Sequence, residues 1–196
     1  ELFMRLLAGR TGQLFVASSL ATELGISYKT VQEWVSILEA SYIVRLLHPY
    51  HSNYGKRLIK KPKLYFVEPG LACYLLGIES DDHAERDPLF GNLFENMVVM
   101  EAIKARANRG MEPALYFMRD SNGTEIDLVF DRRPVPMPIE IKASTTYHPD
   151  FRKALDRFDA ISGSAAHGYV AYGGDDELSG ESLRLIGYKK IAQLFA

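Results

Sequence analysis

Glu140-Ile141-Lys142 follows Asp127 by thirteen residues, and these positions frame the chemistry the chain is able to do. Side chains alternate across a strand, so Glu140 and Lys142 fall on one face and Ile139 and Ile141 on the other. Residues 124–130 alternate likewise: Glu125 and Asp127 share a face, while Ile126, Leu128 and Phe130 supply an apolar one. If the two strands pair, three carboxylates and a lysine occupy one surface. Carboxylates set so close repel unless a proton or cation neutralises them, and hard oxygen donors suit Mg²⁺ or Mn²⁺. The competing reading is a half-solvated antiparallel strand whose charges merely face water.

The elements that must position these residues follow a polar stretch at 79–87, read as a linker or a loop, where the chain divides into domains 1–78 and 79–196. Asp87-Pro88 predicts a capped helix start and a helix over 88–107. Glu95 sits on it amid Gly91, Val98, Val99 and Ala102, where a carboxylate is costly unless it meets a cation, a donor or a metal. The alternative is a glutamate near the helix start, solvated or paired with an arginine. A strand over 114–119 leads through the hairpin signal Asn122-Gly123 to the Asp127 strand. A proline-broken loop over 132–138 precedes the Glu140 strand. Phe151, Leu155, Phe158 and Ile161 mark an amphipathic helix with Arg152, Lys153 and Arg157 outward, and a last strand covers 168–172. Strands joined by a helical crossover make an α/β core with a mixed central sheet. Tyr147, His148 and Arg152 stand either as phosphate contacts or as ordinary surface.

Residues 18–40 read as two helices joined at Gly25, with Ser27 capping the second. Val31, Trp34, Val35 and Leu38 face the core, leaving Tyr28, Lys29, Gln32, Glu33 and Ser36 outward. Strand-like runs at 42–47 and 62–67 flank a loop carrying Lys56, Arg57, Lys60 and Lys61. A helix-turn-helix followed by a basic hairpin describes a winged helix. Binding DNA, it would use Tyr28, Lys29 and Gln32 for recognition and the four loop cations for phosphates. Glu33 and Glu39 weaken that field, and winged helices also serve as protein-interaction units. His48 and His51 lack enough neighbouring ligands for a metal.

Formal net charge is −2, but residues 1–70 carry nine Lys/Arg against five Asp/Glu and residues 71–196 fourteen against twenty. That split favours a polyanion partner for the first part. Cys73 is the sole cysteine, which excludes an internal disulfide and fits a reducing compartment. With no signal peptide pattern and no long apolar run, a cytoplasmic location and no membrane partner are expected. The sequence opens at Glu1 already in a helical pattern, as a piece of a longer protein would. It has no G-x-x-x-x-G-K-[ST] loop, so no ATPase site is expected within it.

Gly91-x-x-Phe94-Glu95 on a helix, Glu125-Ile126-Asp127 on a strand and Ile139-Glu140-Ile141-Lys142-Ala143-Ser144 on the next resemble the PD-(D/E)XK nuclease superfamily. The whole chain resembles the C-terminal region of bacterial and archaeal AAA+-type ATPases, in which a winged helix precedes a restriction-endonuclease-like domain of unknown function. The resemblance implies an N-terminal P-loop domain that binds ATP. It also implies that Asp127 and Glu140 bind Mg²⁺ or Mn²⁺ with Glu95 in support, and that Lys142 orients or deprotonates the attacking water. The expected partners are nucleic acid, DNA first, and the ATPase domain. The rival expectation is a non-catalytic interaction or regulatory module, and a third is an enzyme of small phosphate esters.

Overall fold

The computed structural model describes residues 1–50, 59–120, 123–163, 168–180 and 184–195. It is a mixed α/β protein with two sheets, and its contacts divide it into two compact units, residues 1–47 with 61–100 and residues 48–60 with 101–196. The sequence reading sets a boundary at 79; by contacts, residues 79–100 group with the first unit and 48–60 with the second. No helix among the described residues is long and apolar enough to cross a membrane.

The first unit contains α1 (Leu2–Ala8), β1 (Gln13–Leu14), α2 (Ala17–Leu24), α3 (Tyr28–Ala40), β2 (Val44–Leu47), β3 (Lys63–Phe66), α4 (Pro69–Leu76), α5 (Asp81–Arg86) and the start of α6 (Phe90–Ala107). Gly25 ends α2 in the left-handed region at φ 65°, and Ser27 then caps α3 by accepting the Thr30 N–H at 3.0 Å. The strands pair antiparallel in the order β1-β3-β2. Central β3 is therefore buried at all four positions, Lys63 included.

Val31 and Val35 take the core side of α3, as expected, but Trp34 does not. It is 40% exposed and meets the ring of Phe3 edge-on at 5.0 Å. Two valines at i, i+4 fill the narrow interface, and the indole is left at its margin. The polar stretch 79–87 is no loop either. Ser80 accepts the His83 N–H at 3.2 Å, Asp81 and Asp82 stand in the first turn, and helix α5 results. Asp87 then accepts the Leu89 N–H at 2.7 Å, so α6 begins slightly later than Pro88.

The second unit contains β4 (Leu115–Arg119), β5 (Glu125–Phe130), β6 (Met137–Lys142), a 3₁₀ turn (Pro149–Arg152), α7 (Lys153–Ser162), β7 (Tyr169–Tyr172), β8 (Leu178–Ser179), β9 (Arg184–Gly187) and a terminal 3₁₀ helix (Tyr188–Phe195). The sheet order is β4-β5-β6-β7-β9-β8, with β6, β7 and β9 parallel and the flanking pairs antiparallel. The crossover through α7 was legible in the sequence; β8, β9 and the terminal helix were not. Pro138 lies inside β6 opposite Val129, so the proline-rich connection is shorter than the expected 132–138. The Asn122 half of the hairpin signal lies outside the described residues. Gly123 takes φ 86°, and Asp120 accepts the Thr124 N–H at 2.8 Å.

The basic loop expected as a wing is engaged at both ends within this second unit. Tyr50 N–H donates to the Phe117 carbonyl at 2.7 Å, Phe117 N–H to the His48 carbonyl at 3.2 Å, and Ile59 N–H to the Arg119 carbonyl at 2.9 Å. These bonds satisfy the outer edge of β4. Lys60 and Lys61 are exposed, whereas Lys56 and Arg57 lie outside the described residues.

Candidate metal centre

Strands β5 and β6 pair through Leu128 with Ile139, Val129 with Pro138 and Phe130 with Met137. One further step in this register sets Asp127 opposite Glu140. There a side chain takes over from the ladder: Ile141 N–H donates to Asp127 Oδ2 at 2.8 Å. On its other side β6 pairs in parallel with β7, Glu140 beside Val170. Both carboxylates are consequently buried, Asp127 at 9% and Glu140 at 6% exposure. This removes the reading in which the charged face simply meets water.

Lys142 lies two residues along the same strand and is partly exposed, and its Nζ reaches Glu140 Oε1 at 2.5 Å. Glu125 is partly buried, pairs with Arg119 at 3.2 Å and brings a carboxylate oxygen within 4.8 Å of one from Asp127. Glu125, Asp127, Glu140 and Lys142 line one cavity of about 390 Å³, completed by Gly123, Thr124, Asp150, Lys153, Ala154 and Arg157. Oxygen donors so gathered, two of them buried, suit a hard divalent cation of the Mg²⁺ or Mn²⁺ type. The donor set fits.

Glu95 is placed by the first unit. Its Oε1 accepts from Lys63 Nζ and from the Tyr65 hydroxyl, each at 2.5 Å. The cation that a carboxylate on an apolar stripe requires is thus a lysine, where the sequence reading offered an arginine. Lys63 and Tyr65 were missed as Glu95's partners, although a lysine two residues before a tyrosine in an otherwise apolar strand was the available signal. Next to Glu95, buried Asn96 clamps the backbone of Phe66, accepting its N–H and donating to its carbonyl at 2.8 Å each.

Tyr28, Lys29 and Gln32 stand exposed on α3, with Lys29 3.9 Å from Glu33. Tyr147, His148 and Arg152, offered as phosphate contacts, are occupied locally. Tyr147 packs edge-on to Phe151 at 5.8 Å, His148 Nδ1 accepts the Asp150 N–H at 3.3 Å, and Arg152 forks onto Asp156. That bond holds the Arg152 guanidinium above its ordinary value. The cavity instead receives Lys153 and Arg157, which the sequence reading left on the outer face of the helix. Their i, i+4 spacing on α7 was the usable signal. Lys153 bonds Asp150 at 2.7 Å and by that hydrogen bond holds its carboxyl below the usual range.

Residues 1–82 match the family described as Domain of unknown function (DUF8612). Uncharacterized proteins of Mycobacterium tuberculosis (Rv2008c) and Mycobacterium bovis (Mb2031c) are each 33% identical to this chain over 141 residues, covering 72% of it. The chain spans only 31% of the length of these curated relatives. No solved structure matches it. Residues 90–191, which include both carboxylate strands and α7, match the family described as Domain of unknown function (DUF4143), and the chain belongs to that family.

Proposed function

We propose that the second unit is a metal-dependent phosphodiesterase of PD-(D/E)XK type, borne with a winged helix at the C-terminal end of an AAA+-type ATPase. The observation that carries this reading is that Asp127 and Glu140 are buried on adjacent strands, with Lys142 on Glu140 and all three lining one cavity. The order helix, three antiparallel strands, crossover helix, parallel strand supports the nuclease-like fold. The order α1-β1-α2-α3-β2-β3 supports the winged helix. Domains of this family are often found C-terminal to ATPases, which supports the wider context.

Asp127 and Glu140 would hold Mg²⁺ or Mn²⁺, and Glu95 enters as a third ligand through the sequence motif alone. A divalent cation supplies Lewis acidity toward a phosphodiester and a water of lowered pKa. Lys142 carries positive charge into the cavity, where it orients a nucleophilic water and offsets charge accumulating on the phosphoryl oxygens. Asp127, by accepting the Ile141 N–H, holds its own carboxylate and the β6 backbone in register.

A second reading has its own observation. Trp34 and Ile37 are exposed on α3, at 40% and 62%, among residues of both charge signs, which favours a protein partner over DNA for that helix. Calorimetry with Mn²⁺ and Mg²⁺ on the parent, Asp127→Asn and Glu140→Gln, with linear and branched DNA incubated in parallel, separates the two. Metal binding lost in either variant, and DNA cut only by the parent, supports the phosphodiesterase. A folded parent that binds no metal removes it and leaves the interaction module.

A further inference from the structure

The cavity has two chemically different walls. Strands β5 and β6 contribute Glu125, Asp127, Glu140 and Lys142, and the 3₁₀ turn with α7 contributes Asp150, Lys153, Ala154 and Arg157. The cations of this helix are not equivalent. Arg152 is neutralised by its fork onto Asp156, and Lys153 pairs with Asp150. Arg157 donates through Nη1 to the hydroxyl of Thr124 at 3.3 Å, a neutral acceptor, and among the described residues no carboxylate forms an ion pair with it. A guanidinium has five donors in a rigid fork, and one bond to a hydroxyl fixes its direction while occupying only one of them. Thr124 is buried at the start of the Asp127 strand, so this bond ties the guanidinium to the element that carries the carboxylate.

We infer that Arg157, aimed by Thr124 and assisted by Lys153, is the phosphate-holding group of this cavity, and that the ligand it selects is a nucleic-acid strand. The inference rests on the proposed phosphodiesterase reading for the role of the opposite wall. A phosphodiester bound at the carboxylates through a cation still carries non-bridging oxygens on its neighbouring phosphates, and a guanidinium fork is the side chain best shaped to take them. Lys153 is 69% exposed and stands at the mouth, where a continuing strand would leave the cavity. Arg157 is therefore a positioning residue for substrate and not a metal ligand.

The test measures binding of a short fluorescent single-stranded DNA to the full chain in Ca²⁺, which supports binding without turnover, over a series of salt concentrations. Inorganic phosphate serves as competitor, and Mn²⁺ affinity is followed separately by calorimetry. Arg157→Ala is expected to weaken DNA binding on the order of tenfold to a hundredfold and to reduce the salt slope by about one, with Mn²⁺ affinity unchanged. Arg157→Lys should restore the slope but only part of the affinity, and Arg152→Ala, whose cation is already paired, should change neither. Thr124→Val, which removes the aiming bond and keeps the shape, should give an intermediate loss. DNA binding unaffected by Arg157→Ala while Asp127→Asn abolishes Mn²⁺ binding would overturn the inference and leave the metal reading intact. A parent that binds DNA through Arg157 but takes up no Mn²⁺ would keep the anion site and remove the metal reading. Inorganic phosphate competing as tightly as the oligonucleotide would overturn the choice of a strand in favour of a small phosphate ester.

Discussion

At the scale of single residues, charge compensation decides what each group is free to do. Glu95 is held by Lys63, whose side chain is 2% exposed, and by Tyr65, so truncating it takes the carboxylate away from a buried ammonium. Glu95→Ala is expected to cost about 3–5 kcal/mol, measured by urea denaturation, while Glu95→Gln keeps an acceptor for both donors and costs much less. Only the glutamine variant is therefore a fair probe of any role for Glu95 in metal binding. Asp150 behaves differently because it is exposed. Its carboxyl is held low by the Lys153 hydrogen bond, so the contribution is present above the unfolded value of about 3.9 and is lost as pH falls through the lower folded one. Asp150→Asn should lower thermal stability slightly near neutral pH, and melting curves of the two proteins should converge once the parent's Asp150 carboxyl is protonated.

At the scale of elements, the carboxylate strands were legible because a period of two with apolar partners needs only the local sequence. Strands 125–130 and 137–142 and helices 28–40 and 153–162 came close to the expected spans, and Ser27 caps as its position implied. The burial of Asp127 and Glu140 was not legible. It depends on β7 and on the cavity wall of α7, both remote in sequence, and a charged strand position reads as solvent-facing until such neighbours are known. The two-residue strands β1 and β8 have no period to read, and the lysine on central β3 runs against the usual exposure of that residue. Gly173 carries another element-level consequence. It closes β7 against the end of β6, its N–H donates to the Lys142 and Ser144 carbonyls, and a Cβ there would lie 2.5 Å from the Ala143 carbonyl oxygen. Gly173→Ala must push the β6 end away, with an expected loss of about 1–3 kcal/mol and weakened Mn²⁺ binding through Lys142 and Glu140, both read from one sample by denaturation and calorimetry.

At the scale of the molecule, the two compact units are not two consecutive stretches of chain. Residues 48–60 belong with the second unit and residues 61–100 with the first. A fragment cut at the polar stretch, residues 79–196, would keep all four proposed site residues but lose the backbone bonds that His48, Tyr50 and Ile59 make along β4. It would then present a strand edge beside the fully buried Phe117. Light scattering should show this fragment self-associating at concentrations where the whole chain stays dispersed. The same arrangement bears on biosynthesis. The ribosome delivers His48–Tyr50 and Ile59 well before it delivers β4, so the backbone groups that bond the edge are waiting when the edge emerges. A chain diluted out of denaturant has no such order of arrival, and its yield of dispersed protein should fall below that of translation in vitro as concentration rises.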